Sequence, residues 1–340
     1  MDLDFLLAKV HGLRSKLYEG DALGRLLQVG SLVQLAGLLF PGESFGDHYG
    51  LQRRLAVRYS GRLWQIVELT DGRRRAVFEW LGMRTLLENL KVLIRCRSLP
   101  GDPLAETARY LVPCPFTPQV ELRDALSARD TAALAAKIPS PPLAAGLMTF
   151  DEQFRETDNP FHLEVGLDQA YFAELRDRTG RLLFADRRRI GPLLRREVVM
   201  YDILAALRAR LVHELPPEEV RPLLVEMPPL DAAALDELSE IDALGQLPAR
   251  LPEGCSDYVA GGAERIDLVE RGMWRRMHRL AARQFVADGQ NIGCVAAYCV
   301  LRRIELTNLI RVVEGVRQNM DRRELAAALL VLEPAGALAG

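Results

Sequence analysis

The feature that most constrains how this chain folds is a short leucine pattern that occurs three times and is closed each time by proline. The copies read LLQVGSLVQLAGLLFP at 26–41, ALSARDTAALAAKIP at 125–139 and LSEIDALGQLPARLP at 238–252. Leu35/Leu39, Leu134/Ile138 and Leu247/Leu251 fall in register, and each pair is four residues apart, the spacing that stacks side chains on one helix face. Downstream of each copy comes a longer helical section: LLENLKVLIRCRSLP at 86–100, YDILAALRARLVHELPPEEV at 201–220 and IELTNLIRVVEGVRQNMDRREL at 304–325. Helix, turn and further helix therefore recur in one order, the mark of a chain built from repeated supersecondary units.

Strand signals are poor, because β-branched runs with period-two alternation are brief. The stretch LAVRYSGRLWQIVEL at 55–69, with its single Gly and Trp, is read as helix, and the fold class is all-α. Pro- and Gly-rich junctions stand at LVPCPFTP (111–118), EMPPLD (226–231) and LPEGCSDYVAGG (251–262), where subregions should meet. Boundaries near 117 and 228 give three helical modules, 1–117, 118–228 and 229–340, and 340 residues suffice for each to bury a core.

Several function classes are excluded by what the chain lacks. Its formal net charge of -2 offers no basic excess to track a nucleic-acid backbone. The most apolar stretch, Leu26 to Phe40, has 15 residues, contains Gln28, Ser31 and Gln34, and stops at Pro41, too short and too polar to span a bilayer. The opening MDLDFLLAKVHGLRSK has neither the basic start nor the cleavage site of a signal peptide. A cytoplasmic protein that meets a membrane through its partners is the expectation. Cys96, Cys114, Cys255, Cys294 and Cys299 contain no CxxC pair and are read as reduced thiols.

Catalytic signatures are missing as well. No G-x4-GK[ST] cradle for nucleotide phosphates occurs, and no GxGxxG follows a strand. His11, His48, His162, His213 and His278 are scattered, no HExxH offers a metal a first shell, and no GxSxG elbow presents a nucleophile. No cofactor, no metal and no catalysis are expected. Carboxylates gather between Glu214 and Asp242, and arginines at 187–189, 195–196 and 271–283; these read as solvated helix faces or as docking surfaces for charged partners.

At the second repeated pattern the sequence resembles a known family, the C subunits of bacterial and archaeal V-type ATPases, counterparts of the d subunit in eukaryotic vacuolar proton pumps. FLLAKVHGLRSKLYEGDALGRLLQVGSLVQLAGLL is similar to the family's opening, and Asn89-Leu-Lys-Val-Leu-Ile94 to its Asn-containing helix. ARYLVPCPF at 108–116 follows, and PPLAAGLMTF at 141–150 and LEVGLDQAYFAEL at 163–175 resemble the family's middle section. The strongest likeness is AAYCVLRRIELTNLIRVVEGV at 296–316, where Tyr298, Glu305, Asn308 and Glu314 match the family's pattern. Arg302-Arg303 departs from its usual Lys-Glu, and Ala205 stands in the second module where the other two carry Asn; both departures bear on the docking surfaces. The resemblance implies three similar modules in a pseudo-threefold funnel that grips a central shaft on one side and sits on a proteolipid rotor ring on the other. It implies a non-catalytic rotor subunit of a V-type ATPase or ATP synthase, peripheral to the membrane, that transmits torque for proton or sodium transport. The rival readings are a free-standing helical adaptor and an unrecognised hydrolase.

On residues alone, Leu301, Glu305, Asn308 and Val312 are spaced i, i+4, i+7, i+11 and share one helix face, which sets two polar groups in an apolar stripe. Such groups need partners: they pin neighbouring helices, or they line the socket for the shaft. Arg311 and Arg317 lie off the stripe. The candidate residues for partner binding or module pinning are Asn89, Asp202, Glu305, Asn308, Arg311 and Glu314.

Overall fold

The computed structural model describes residues 3–97, 107, 109–117, 125, 128–253, 255 and 264–331. Residues 98–100 of the first long helical section and most of the 251–262 junction lie outside them. Among the described residues the chain is all-helical, apart from one isolated bridge between Met227 and Leu230.

The first half contains α1 (Leu3–Arg14), α2 (Gly20–Leu26), α3 (Leu32–Leu39), α4 (His48–Val67), α5 (Gly72–Gly82) and α6 (Arg84–Arg97). Then come α7 (Thr131–Ala135), α8 (Pro141–Thr149), α9 (Asp151–Thr157), α10 (Phe161–Gly180), α11 (Phe184–Leu211) and α12 (Pro217–Val220). The last are α13 (Ala232–Ser239), α14 (Leu247–Arg250), α15 (Ile266–Ala287), α16 (Ile292–Arg317) and α17 (Arg322–Ala328). The ambiguous 55–69 stretch is helix up to Val67, within α4.

Polar caps start the helices where the sequence turns. Ser31 caps α3 by accepting from Gln34 N, Asp47 caps α4 from Gly50 N at 2.8 Å, and Asp130 caps α7 from Ala133 N at 2.7 Å. Asp321 and Glu324 form a reciprocal capping box on α17. In each copy of the leucine pattern the paired residues are buried: Leu35 and Leu39, Leu134 and Ile138, Leu247 and Leu251. Only the first pair shares a helix: Leu35 and Leu39 both lie in α3, whereas Ile138 and Leu251 fall just past the ends of α7 and α14.

Two compact units emerge. One comprises Met1–Leu86, Ala105–Phe116 and His278–Gly340; the other comprises Leu87–Leu104 and Thr117–Met277. Their division falls within α6 and within α15. The EMPPLD junction is a tight turn inside the second unit, closed by Leu230 N donating to Met227 O at 2.8 Å.

In the first unit α16 is the axis, with α4, α1, α3 and α17 packed on it. Leu309, Val312 and Val313 of α16 share a core with Leu35 and Leu39 of α3 and Leu51 and Leu55 of α4. In the second unit α8 and α11 both pack on α10. Gly146 of α8 faces Gly166 of α10 so closely that a Cβ on Gly146 would lie 2.7 Å from the Gly166 carbonyl oxygen. The two backbones touch there, so neither position has room for a side chain.

Candidate functional site on the helix from Ile292 to Arg317

Asn291 opens α16 by accepting from Gly293 N at 2.8 Å, and 26 residues of helix follow, about 39 Å at the usual rise. The helix is apolar over most of its circumference, as buried helices are, and Leu301, Glu305, Asn308 and Val312 are all buried. The polar groups on it therefore have to find partners inside the protein.

Glu305 is 2% exposed. Its Oε1 accepts from the backbone N–H of Tyr18 at 2.9 Å, and its Oε2 pairs with the Arg302 guanidinium one turn back. Burial pushes Arg302 down to about 10, which still leaves it charged at neutral pH. The pair thus balances charge out of water and fixes the segment after α1 to the middle of α16. Beside it, Arg58 of α4 lies over the Phe40 ring at 4.5 Å and the Tyr18 ring at 5.9 Å, and donates to Leu39 O at 3.1 Å.

Asn308 is used at both ends of its amide. Nδ2 donates to Val331 O at 3.0 Å and Oδ1 accepts from Leu330 N at 2.8 Å. Arg311 donates to Ala328 O at 2.6 Å, a cation on the carbonyl end of α17. Together they hold 328–331 against α16 while Leu329, Leu330 and Val331 bury their side chains.

Glu314 faces the start of α4, where Gln52 Nε2 donates to its Oε1 and His48 Nε2 lies 3.9 Å away; Arg317 Nε donates to its Oε2 at 2.8 Å. Partial burial alone would raise the Glu314 carboxyl, but the hydrogen bonds from Arg317 and Gln52 and the charge of Arg317 leave it below its ordinary value.

Four of the six candidate residues, Glu305, Asn308, Arg311 and Glu314, therefore meet on one helix of the first unit. Asn89 and Asp202 belong to the second unit. Asn89 is buried on α6. Asp202 on α11 is fully buried, with Oδ1 accepting from Val225 N at 2.7 Å and Oδ2 meeting no hydrogen-bond partner among the described residues; burial raises its carboxyl well above the usual range, against the pull of the Val225 bond and of Arg221 and Arg176.

Sequence reasoning misses half of each contact. Tyr18, Leu330, Val331 and Ala328 act through backbone atoms, which no side-chain pattern reveals. The Arg302-Arg303 departure reads from sequence as a matter of docking surfaces, yet Arg302 is 5% exposed and serves Glu305; the spacing Arg302 to Glu305, one helical turn, is the available signal. Chemically the arrangement clamps. Its carboxylates and guanidiniums are engaged with each other or with backbone, and the nearby Cys294 thiol is pushed up to about 11 by burial, so it stays protonated at neutral pH.

The sequence model of the family described as ATP synthase (C/AC39) subunit matches residues 6–327, which takes in the second unit, most of the first and every residue of α16. The chain belongs to this family. The C subunit of the A-type ATP synthase of Methanosarcina mazei is 22% identical over 238 residues, an alignment covering 65% of this chain and 62% of the relative's length. Among the described residues of this ATP synthase (C/AC39) family member, no helix is long and apolar enough to cross a membrane.

Proposed function

We propose that the protein is a non-catalytic rotor subunit of a V- or A-type ATPase or ATP synthase. It couples the central shaft to the proteolipid ring and transmits torque for proton or sodium transport, held peripherally at the cytoplasmic side of the membrane by those partners. The observation that carries this reading is the family match from residue 6 to 327, which leaves no large part of the chain for another activity. The leucine repeats support three similar helical modules, 1–117, 118–228 and 229–340, and the resemblance to the family implies their pseudo-threefold funnel.

The geometry of α16 supports a mechanical role. A body that passes on torque must not shear internally, and α16 is bonded to the segment before α2 through Glu305, to the start of α4 through Glu314, and to 328–331 through Asn308 and Arg311. In this reading those four residues are internal pins, as are Asn89 and Asp202 in the second unit, and the shaft and ring are met by other residues. Affinity purification of the tagged full chain from native membranes tests the proposal: shaft and ring proteins are expected as the dominant companions, and their absence from a preparation that retains folded protein would overturn it.

A further inference from the structure

The turn between α10 and α11 puts two large apolar side chains in water. Leu183 is 62% exposed and Phe184 72% exposed, while Leu182, just before them, is buried and anchors the turn. The turn is held open by its own bonds: Leu182 N donates to Thr179 O, Arg187 N to Leu183 O at 2.8 Å, and Arg187 Nη1 to Gly180 O at 3.2 Å. Leu183 and Phe184 are therefore presented, not left over from loose packing.

Their surroundings are cationic. Residues 177–191 contain five arginines, Arg178, Arg181, Arg187, Arg188 and Arg189, and two carboxylates, Asp186, which is buried, and Asp177, which is exposed and pairs with Arg176. Arg178 is engaged by Glu174 at 2.7 Å. Arg181, Arg187 and Arg188 are exposed, and among the described residues none of the three is in an ion pair.

We propose that this tip is a contact for an anionic lipid surface, with Leu183 and Phe184 entering the headgroup boundary and Arg181, Arg187 and Arg188 binding lipid phosphates. An apolar pair ringed by arginines without carboxylate partners, at the end of a helical hairpin, matches a bilayer interface, which takes up protruding apolar groups without a shaped pocket and adds attraction for each nearby cation. A protein hot spot is instead centred among apolar neighbours, and the exposed residues flanking this pair in the chain, 180–181 and 185–189, are glycine, alanine and arginines. Neither the exposed pair nor its arginines depend on the rotor reading.

The test is cosedimentation of the purified full chain with vesicles of phosphatidylglycerol and phosphatidylcholine, against vesicles of phosphatidylcholine alone. Partition onto the anionic vesicles is expected, falling about tenfold in Leu183→Ser/Phe184→Ser and about fivefold for each of Arg181→Gln, Arg187→Gln and Arg188→Gln. Because these side chains are exposed, the variants should melt with the parent, and the melting curve is the control. No partition, equal partition onto neutral vesicles, or variants that partition like the parent would overturn the proposal. So would saturable binding to a polyglutamate peptide by a protein that ignores the vesicles, since that outcome makes the tip a site for acidic protein.

Discussion

Replacing Asn308 with leucine keeps the number of side-chain heavy atoms, adds the volume of two methyl groups and removes both hydrogen bonds. Two buried groups then lose their partners: the N–H of Leu330, a residue 1% exposed, and the carbonyl of Val331, 5% exposed. Each such loss costs about 1–3 kcal/mol if the group stays buried, so an unrelaxed variant would lose about 2–6 kcal/mol. Relaxation caps that figure. The segment can instead leave α16 and return both groups to water, which exposes Leu329, Leu330 and Val331 at about 1.5–3 kcal/mol each and recovers about 1–2 kcal/mol of backbone entropy per freed residue. The two routes converge on a loss of about 2–4 kcal/mol in the first unit. Chemical denaturation followed by fluorescence reads it, since Trp64 and Trp80 lie in that unit, and hydrogen exchange at the Leu330 amide reports the segment directly. Asn308→Asp keeps the acceptor for Leu330 N–H but sets an ionisable carboxyl against the Val331 carbonyl, so it should lose less than leucine only at a pH low enough to keep that carboxyl protonated. A leucine variant within about 0.5 kcal/mol of the parent, with the Leu330 amide still protected, would refute the claim that this amide pins the C-terminal segment.

Three further outcomes are expected. Glu305→Ala leaves the Arg302 charge buried without its carboxylate and should cost about 3–5 kcal/mol, whereas a melting curve like the parent's would mean that the pair is solvated. Gly166→Ala forces a Cβ into the Gly146 carbonyl and should destabilise the second unit by about 1–3 kcal/mol, read by circular dichroism during thermal unfolding. Asp202, whose carboxyl is raised in the fold, keeps its proton where the unfolded chain has lost it, so stability falls as pH climbs from the ordinary Asp value of about 4 through the raised one. Asp202→Asn cannot ionise and retains an acceptor for Val225 N–H, so it should be more stable than the parent at pH 7 and equal to it near pH 4; a gap independent of pH would contradict the assignment.

The all-helical fold was legible because leucines four apart and proline stops are local signals, and every leucine pair read from the repeats is buried. The stripe Leu301, Glu305, Asn308, Val312 was legible for the same reason. What holds its polar members was not: the partners of Glu305 lie 287 residues away at Tyr18 and one turn away at Arg302, and those of Asn308 are backbone atoms of an apolar tail. Side-chain periodicity carries no information about which backbone groups a fold leaves without helical partners. The closeness of Gly146 to Gly166 was equally hidden, because a glycine at a helix crossing and a glycine in an exposed turn read alike in a single sequence.

The first unit draws on both ends of the chain, and this bears on how the protein is made. Helices α1 to α5 leave the ribosome first, but the helix that packs on α1, α3 and α4 begins only at Ile292. The intervening second unit can fold as soon as it emerges, while the N-terminal helices wait with Leu35, Leu51 and Leu55 uncovered. Loop closure over so long a separation adds little free energy, since its cost grows only with the logarithm of length, but the delay leaves a sticky intermediate for the whole of that interval. Nascent chains stalled before residue 292 should therefore be the species that chaperones hold and that aggregate when chaperones are scarce, and a circular permutant joining the two ends should shorten the vulnerable period.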